Sequence, residues 1–240
     1  MMDLSLDQLP LAPHSGSVDI WIWQDHGIPF PDDCLLWLSD SEKAQIDHFK
    51  TGLRQREYLA GRIMIRSVLA RYLDCQPGEV NLEIRPSGKP FVRQSKFDFN
   101  LSHSGSGYAL AISRAGNVGV DIEWLNRKVD YFRLSSVFRS SEIEAWDAET
   151  PDLKRMHFFQ RWTGKEAIFK ACGDRALLFR DFEVKVPDMS PVVNFGEYPL
   201  PQNWWFQAFP YGDEYWVCLA VANPTAQIEF RTLEYNPPRS

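Results

Sequence analysis

The sequence predicts an α+β fold made of two similar α/β lobes. Strand-like and helix-like segments are interspersed along all 240 residues, and two of the helical segments are long. The segment YALAIS at 108–113 resembles YWVCLAVA at 215–222, and one long helical segment lies far upstream of each. With 44% hydrophobic residues, including nine Trp and sixteen Phe, the chain can form a substantial core. We therefore expect a first lobe over 1–115 and a second over 116–240.

The first lobe is expected to begin with a strand at 18–23, where the sequence VDIWIW alternates its apolar residues. Ser39 or Ser41 is a candidate N-cap for a helix over Glu42–Phe49. Apolar periodicity predicts a longer helix over Arg54–Leu73. The further strands predicted for this lobe cover 80–85, 90–92, 97–102 and 108–113.

The second lobe is expected to follow a turn at 115–117, and its first strand is predicted over Val118–Trp124. A helical segment near Ser141–Ala148 precedes a strongly predicted helix over Leu153–Cys172, which Gly173 is well suited to end. The remaining strands predicted for this lobe cover 182–186, 204–209 and 215–221.

Composition and charge exclude several classes of protein. A net charge of −6 is not the overall basic character of proteins that bind nucleic acid by counterion release. No apolar run approaches the about 20 residues that span a bilayer, and the start of the chain lacks the features of a signal peptide, which predicts a cytoplasmic protein without a membrane partner. The cysteines form no C-x-x-C pair, which argues against zinc and redox motifs.

Two carboxylates stand close together on the strand predicted over Val118–Trp124. Strand alternation places Asp121 and Glu123 on one face and the apolar residues between them on the other. Carboxylates repel one another and burial disfavours their charge, so the pair favours a bound cation, and hard oxygen ligands suit Mg²⁺. For a lone D-x-E pattern, however, a solvated strand face is the commoner explanation.

A second set of charges lies on the helix predicted over Leu153–Cys172. Trp162, Glu166 and Lys170 follow i, i+4, i+8 spacing, so the carboxylate and the ammonium project from one side. A surface Glu–Lys pair is the alternative. The helix is apolar nearly all round, which favours burial and implies that its charges have partners.

The segment NLSHSG at 100–105 ends a predicted strand in a turn that presents hydroxyls, backbone N–H groups and an imidazole. Such a turn can bind phosphate, although an incidental Ser/Gly-rich turn is commoner. A Ser–His hydrolase is disfavoured, because adjacent strand residues point apart and no G-x-S-x-G motif is present. Basic residues before this segment are either solvated charges or a grip for a polyanion such as a nucleotide. They include Lys43, Arg54, Arg56, Arg62 and Lys89.

The order SGKPF, NLSHSG, GVDIE and RWTGKEAIFK over residues 87–170 resembles the phosphopantetheinyl transferases, specifically the larger, monomeric Sfp-type. The resemblance implies two similar lobes in a pseudo-twofold arrangement. It implies a holo-acyl-carrier-protein synthase that transfers the 4'-phosphopantetheine group of coenzyme A to a serine of an apo acyl or peptidyl carrier protein. The other product is adenosine 3',5'-bisphosphate.

The resemblance also implies roles for individual residues. Asp121, Glu123 and Glu166 match the magnesium-binding carboxylates, and Glu166 matches the residue proposed to deprotonate the carrier serine. Lys170 matches the lysine that supports the phosphate or leaving group. His103 matches a contact to the phosphate that acts together with Lys170. The contacts to coenzyme A implied in this way are Lys43, Arg56, Lys89, Ser102, His103 and Lys170.

One position departs from the family pattern, because Ile46 stands where relatives commonly carry a second lysine after the one that matches Lys43. Two other functions fit the same residues. A metal-dependent phosphohydrolase would use the carboxylates to cut a diphosphate with water, and a non-catalytic module of the same fold would only bind. Bound coenzyme A and the carrier protein are expected at the cleft between the lobes, with the carrier held by local basic or apolar residues.

Overall fold

The computed structural model describes residues 16–129, 137–174, 176–186, 201, 203–222, 224 and 228–238. Helices and strands are mixed along the chain, which confirms the predicted α+β class. In chain order the elements are β1 (Ser17–Gln24), α1 (Asp40–His48), α2 (Gly52–Leu73), β2 (Leu82–Ile84), β3 (Pro90–Val92), β4 (Asp98–Ser104), β5 (Gly107–Ser113), β6 (Asn117–Trp124), α3 (Ser140–Asp147), α4 (Pro151–Cys172), β7 (Trp204–Tyr211), β8 (Tyr215–Ala222) and β9 (Glu229–Glu234).

The first sheet has the strand order β4-β5-β1-β9. Its central strand β1 is buried on both faces, and alternation explains why. Trp21 and Trp23 pack with α2, whereas Val18, Ile20 and Ile22 pack against apolar residues of the second sheet. β1 therefore belongs to two cores at once, one under α2 and one between the sheets.

The second sheet has the order β6-β8-β7, all antiparallel, and α4 covers one of its faces. Helix and sheet approach very closely at Gly119. A Cβ atom at this position would lie 2.0 Å from the carbonyl oxygen of Ala167 and 2.5 Å from the backbone nitrogen of Ala171. Only glycine permits this contact, which brings the side chains of α4 next to those of β6.

The last strand, β9, pairs in parallel with β1, from Ser17 opposite Glu229 to Ile22 opposite Glu234. Sequence patterns did not predict this strand. Although it lies in the predicted second lobe, 116–240, it completes the sheet of the first. Apart from β9, the strands before residue 115 and those after it belong to different sheets. The domain boundary near residue 115 stays a prediction.

Most predicted elements are confirmed with shifts of a few residues at their ends. α1 begins at Asp40 because Ser39 and Glu42 form a capping box. The predicted strand over 182–186 is wrong, since Phe182 and Val184 instead pack as buried residues beneath α4 without forming a strand. Within the described ranges, no helix has both the length and the apolar character needed to cross a membrane.

Candidate active site

The two sheets meet along their edge strands, β4 and β6, and polar side chains make the junction. Asp98 accepts a hydrogen bond from the backbone N–H of Val118 at 2.8 Å, and Asn100 accepts one from Val120 at 2.9 Å. Because strand residues alternate, every second side chain of β4 reaches β6. We call the side chains of Asp98, Asn100, Ser102 and Ser104 the β4–β6 seam.

Ser102 and Ser104, the other half of the seam, bind the carboxylates of Asp121 and Glu123 on β6. Ser102 donates its hydroxyl to Oδ1 of Asp121 at 2.8 Å, and Ser104 donates to Oε2 of Glu123 at 2.7 Å. Both carboxylates are buried, with 4% and 5% of the residue exposed. They lie on one face of β6, as alternation predicts, and that face is the one covered by α4.

Asp121 has one bonded and one unbonded oxygen. Its Oδ1 accepts from Ser102 and from Nζ of Lys170, the latter at 2.7 Å. Its Oδ2 is buried without a hydrogen-bond partner among the described residues. A buried carboxylate oxygen without a donor favours a cation at this position.

Glu123, by contrast, is held by donors from three parts of the chain. In addition to Ser104, the indole Nε1 of Trp162 donates to Oε1 at 2.8 Å, and Nη2 of Arg127 lies 3.0 Å from the same oxygen. Burial raises the pKa of Glu123 to about 7, and the neighbouring charge of Asp121 adds to the rise. The three donors oppose that rise but do not cancel it.

Glu166 and Lys170 project from one side of α4, as their spacing predicts, with Nζ of Lys170 3.8 Å from Oε2 of Glu166. Burial raises the pKa of Glu166, and the charge of Asp121 acts in the same direction. Burial alone would lower the pKa of Lys170, but the charges of Asp121 and Glu166 outweigh it and raise that pKa. Lys170 also lies 3.1 Å from Oγ of Ser102. The structure thus brings Ser102, Asp121, Glu166 and Lys170 together.

The predicted magnesium ligands fit a cation in chemistry but are not arranged as a closed metal cage. In the described part of the chain, no group of three His, Cys, Asp or Glu side chains is positioned to hold an ion. Lys170 and Arg127 lie against Asp121 and Glu123 instead. The unbonded Oδ2 of Asp121 and the carboxylate of Glu166 are the oxygens most suited to a metal, so the metal site stays a prediction.

His103 lies on the opposite face of β4 from Ser102. Its ring stacks on Tyr108 with centroids 5.4 Å apart, and its Nε2 lies 3.7 Å from Oε2 of Glu57 on α2. Burial lowers the pKa of His103, which keeps the imidazole neutral near pH 7. His103 therefore does not share direct contacts with the carboxylates of β6, and its predicted phosphate contact stays a prediction.

The predicted nucleotide-binding cations have different surroundings. Lys89 is buried, with Nζ 2.5 Å from Asp98 and 2.8 Å from the carbonyl oxygen of Val118. These two bonds stabilise the end of the β4–β6 seam. Arg56 makes a two-pronged ion pair with Asp25, at 2.6 and 2.8 Å. Lys43 is exposed on α1. The structure does not bring these three together with the carboxylates, and their contacts to coenzyme A stay predictions.

A cavity of about 210 Å³ lies between the SGKP turn and the end of α4, and it opens beside Lys170. Its lining combines the SGKP turn, the amide of Asn100 from the seam and the end of α4 that carries Lys170. The lining residues are Ser87, Gly88, Lys89, Pro90, Asn100, Phe169, Lys170, Gly173 and Asp174.

Known proteins match this chain over both halves. A family model described as the 4'-phosphopantetheinyl transferase superfamily matches residues 117–220, and one described as 4'-phosphopantetheinyl transferase, N-terminal, matches 32–115. The 4'-phosphopantetheinyl transferase HetI of Nostoc sp. is 32% identical over 193 residues, which cover 76% of this chain and 81% of that protein. The chain belongs to the 4'-phosphopantetheinyl transferase superfamily.

Further relatives of this transferase cover shorter stretches. The 4'-phosphopantetheinyl transferase psf-1 of Bacillus pumilus is 30% identical over 138 residues, 57% of this chain and 58% of that protein. The 4'-phosphopantetheinyl transferase AcpT of Salmonella typhi is 36% identical over 127 residues, 52% of this chain and 62% of that protein. The family resemblance predicted from the motifs, to the larger Sfp-type, is thereby confirmed.

Three features of this transferase were missed from its sequence. The contact of Arg127 with Glu123 was not predicted, although the two residues stand only four positions apart. The bond from the Trp162 indole to Glu123 was also not predicted, because Trp162 stands in an otherwise largely apolar helix. Ser104 and its alternate neighbours on β4 form a polar row, and that alternation was a readable signal of the seam. No local pattern shows which strand the row faces.

Proposed function

We propose that this transferase moves the 4'-phosphopantetheine group of coenzyme A to a serine of an apo acyl or peptidyl carrier protein and releases adenosine 3',5'-bisphosphate. The supporting observation is the convergence of Ser102, Asp121, Glu166 and Lys170 beside a cavity of about 210 Å³. This set places carboxylates, which suit a cation, and an ammonium, which suits a phosphate, at one point.

In the proposed reaction, Glu166 accepts the proton of the carrier serine, directly or through a water. The raised pKa of Glu166 makes it a stronger base than an exposed carboxylate. The serine oxygen then bonds to the phosphorus of the pantetheine phosphate, and the bond from that phosphorus to adenosine 3',5'-bisphosphate breaks. Lys170, whose pKa is raised, stays charged and stabilises the departing phosphate.

Magnesium is part of this proposal. Asp121 and Glu166, with Glu123 as the third carboxylate, would hold the ion, which supplies positive charge to neutralise the diphosphate of coenzyme A. Asp121 supports this assignment through its buried, unbonded Oδ2. Lys89, Arg56, Lys43, Ser102 and His103 are proposed contacts to coenzyme A. In that role Lys89 and Arg56 would have to share their charge with Asp98 and Asp25.

The carrier protein is proposed to dock where the two sheets meet, because its serine must reach Glu166. The net charge of −6 gives no overall attraction for an acidic carrier, so docking would use local basic or apolar residues.

We further propose that the chain works as a cytoplasmic monomer. Light scattering after size-exclusion chromatography tests the monomer directly, and a dimer mass would contradict it.

The proposed reaction is tested by intact-mass measurement of apo carrier proteins incubated with the chain, coenzyme A and Mg²⁺. We expect a gain of one phosphopantetheine on at least one carrier, loss of that gain with a chelator, and its return when Mg²⁺ is restored. A carrier whose serine is replaced by alanine is the control. Consumption of coenzyme A without a mass gain would instead support the phosphohydrolase alternative.

A further inference from the structure

The turn after β6 holds Arg127 in a fixed place beside the candidate site. The backbone N–H of Arg127 donates to the carbonyl oxygen of Trp124 at 3.2 Å, which closes the turn. Arg155 of α4 donates to the carbonyl oxygens of Leu125 and Arg127, each at 2.7 Å. The turn is therefore tied to the helix that carries Glu166, and the backbone of Arg127 cannot move away independently of α4.

The guanidinium of Arg127 reaches back to β6. Its Nη2 lies 3.0 Å from Oε1 of Glu123, and its charge lies over the ring of Phe159 at 5.9 Å. One third of the Arg127 side chain is exposed, while 7% of the Glu123 side chain is. Water can therefore reach Arg127 on one side, whereas its partner Glu123 is buried against it.

A second ion pair of the same kind lies next to it. Nζ of Lys170 is 2.7 Å from Oδ1 of Asp121. Each strand carboxylate of the candidate metal site therefore has its own cation from the chain. A divalent ion approaching this site meets two positive charges as well as the carboxylates, and their repulsion reduces its net attraction.

We propose that Arg127 is a positioning residue that acts as an internal counter-ion of Glu123 and weakens the binding of a free divalent cation to the site. The proposal rests on the proposed metal role of the carboxylates. Coenzyme A brings several negative charges, which would offset Arg127 and Lys170, so the cation and coenzyme A strengthen each other's binding. By thermodynamic linkage this coupling is equal in both directions.

Titration calorimetry with Mg²⁺ alone, without coenzyme A or carrier, tests this role. Arg127→Gln removes the positive charge and keeps a polar side chain at this position. We expect Mg²⁺ to bind this variant at least about tenfold more tightly, because even with the screening of bulk water the removal of one charge this near a divalent ion has an effect of that order. Arg127→Lys keeps the charge and is expected to bind Mg²⁺ like the unaltered protein.

The matched control is Arg93→Gln, which removes one positive charge from an exposed ion pair with Glu83 on the β2–β3 hairpin. It is expected to leave Mg²⁺ binding unchanged. A purely structural role for Arg127 predicts weaker binding in Arg127→Gln, because Glu123 would lose its anchor. Equal or weaker binding, or undetectable binding in both proteins, overturns the proposal, whereas the carrier mass gain tests the transferase function separately.

Discussion

At the scale of single residues, the three predicted metal ligands differ in how the chain uses them. Among the described residues, Glu123 accepts three donors and Asp121 accepts two on one oxygen, whereas Glu166 has only the ion pair with Lys170 at 3.8 Å. Glu166 is therefore the carboxylate least committed to the fold. Burial raises its pKa, so its charged form is disfavoured in the folded state.

Glu166→Gln should therefore separate function from stability. We expect carrier modification to fall by at least about 100-fold, the lower range for losing a general base. The melting temperature should stay the same or rise slightly, because the substitution removes a charge that burial disfavours. Intact-mass assays and thermal melts measure the two effects. Glu144→Gln, at an exposed position on α3, is the control, and full activity of Glu166→Gln would contradict the proposed mechanism.

Glu42 is also buried, but its pKa is lowered, unlike that of Glu166, because it is well paired. Arg66 donates to it at 2.6 and 3.1 Å, and Glu42 also caps α1. Burial alone would raise the pKa of Glu42, but the bonds from Ser39 and Arg66 outweigh it and lower the pKa below 4.5. A lowered pKa stabilises the fold at pH values above 4.5, and this stabilisation is lost as the pH falls through the folded value.

We therefore expect the stability difference between the unaltered protein and Glu42→Gln to be largest near neutral pH and to shrink under acidic conditions below 4.5. Urea denaturation at a series of pH values measures it. Parallel pH profiles for the two proteins would show that the Glu42 charge contributes nothing to the difference.

At the scale of elements, the close approach of β6 and α4 sets the distance between the strand carboxylates and Glu166. Gly119→Ala would force a methyl group to within 2.0 Å of the Ala167 carbonyl, so the helix must move. We expect a loss of about 3 kcal/mol in the free energy of unfolding, at the upper end for overpacking. Carrier modification should fall with it, because the movement separates the two sets of ligands.

The matched control is Gly52→Ala, at the first residue of α2, where an added Cβ meets no atom within 4 Å. Alanine is the better helix former, so the stability should be unchanged or higher by up to about 1 kcal/mol. Denaturant unfolding compares the two variants. Equal stabilities would mean that α4 adapts to the added methyl without strain.

The sequence predicted the elements whose patterns are local. α2, α4, β5 and β8 combine strong periodicity with clear ends, and alternation correctly placed Asp121 and Glu123 on one face. β9 was missed because its partner β1 lies more than 200 residues earlier, a pairing that no local window contains. The bonds of Ser104 and Trp162 to Glu123, and of Lys89 to the Val118 carbonyl, were missed because packing between separate segments sets them.

At the scale of the whole molecule, one buried ion pair ties the last strand to the first. Asp19 on β1 is fully buried and accepts two bonds from Arg231 on β9, at 2.6 and 2.8 Å. Tyr72 of α2 donates to the same carboxylate at 2.7 Å. The network joins β1 and β9 of the first sheet to α2.

Arg231→Gln would leave Asp19 charged and only partly paired in the core. We expect the unfolding free energy to fall by about 3 kcal/mol, as for other buried pairs that lose one partner. Arg93→Gln breaks an exposed pair and should change it by less than about 1 kcal/mol. Urea unfolding followed by tryptophan fluorescence measures both, and equal effects would show that β9 is held by its backbone bonds alone.

The β4–β6 seam also determines when the site comes into existence as the chain folds. Its bonds join residues 19 or 20 positions apart, and each uses a side chain that is aligned only once its own strand is paired. Neither sheet can therefore orient the carboxylates before the other is in place. A chain with only one sheet formed would lack the bonds that hold Asp121 and Glu123 in place, so we expect carrier modification to require both sheets.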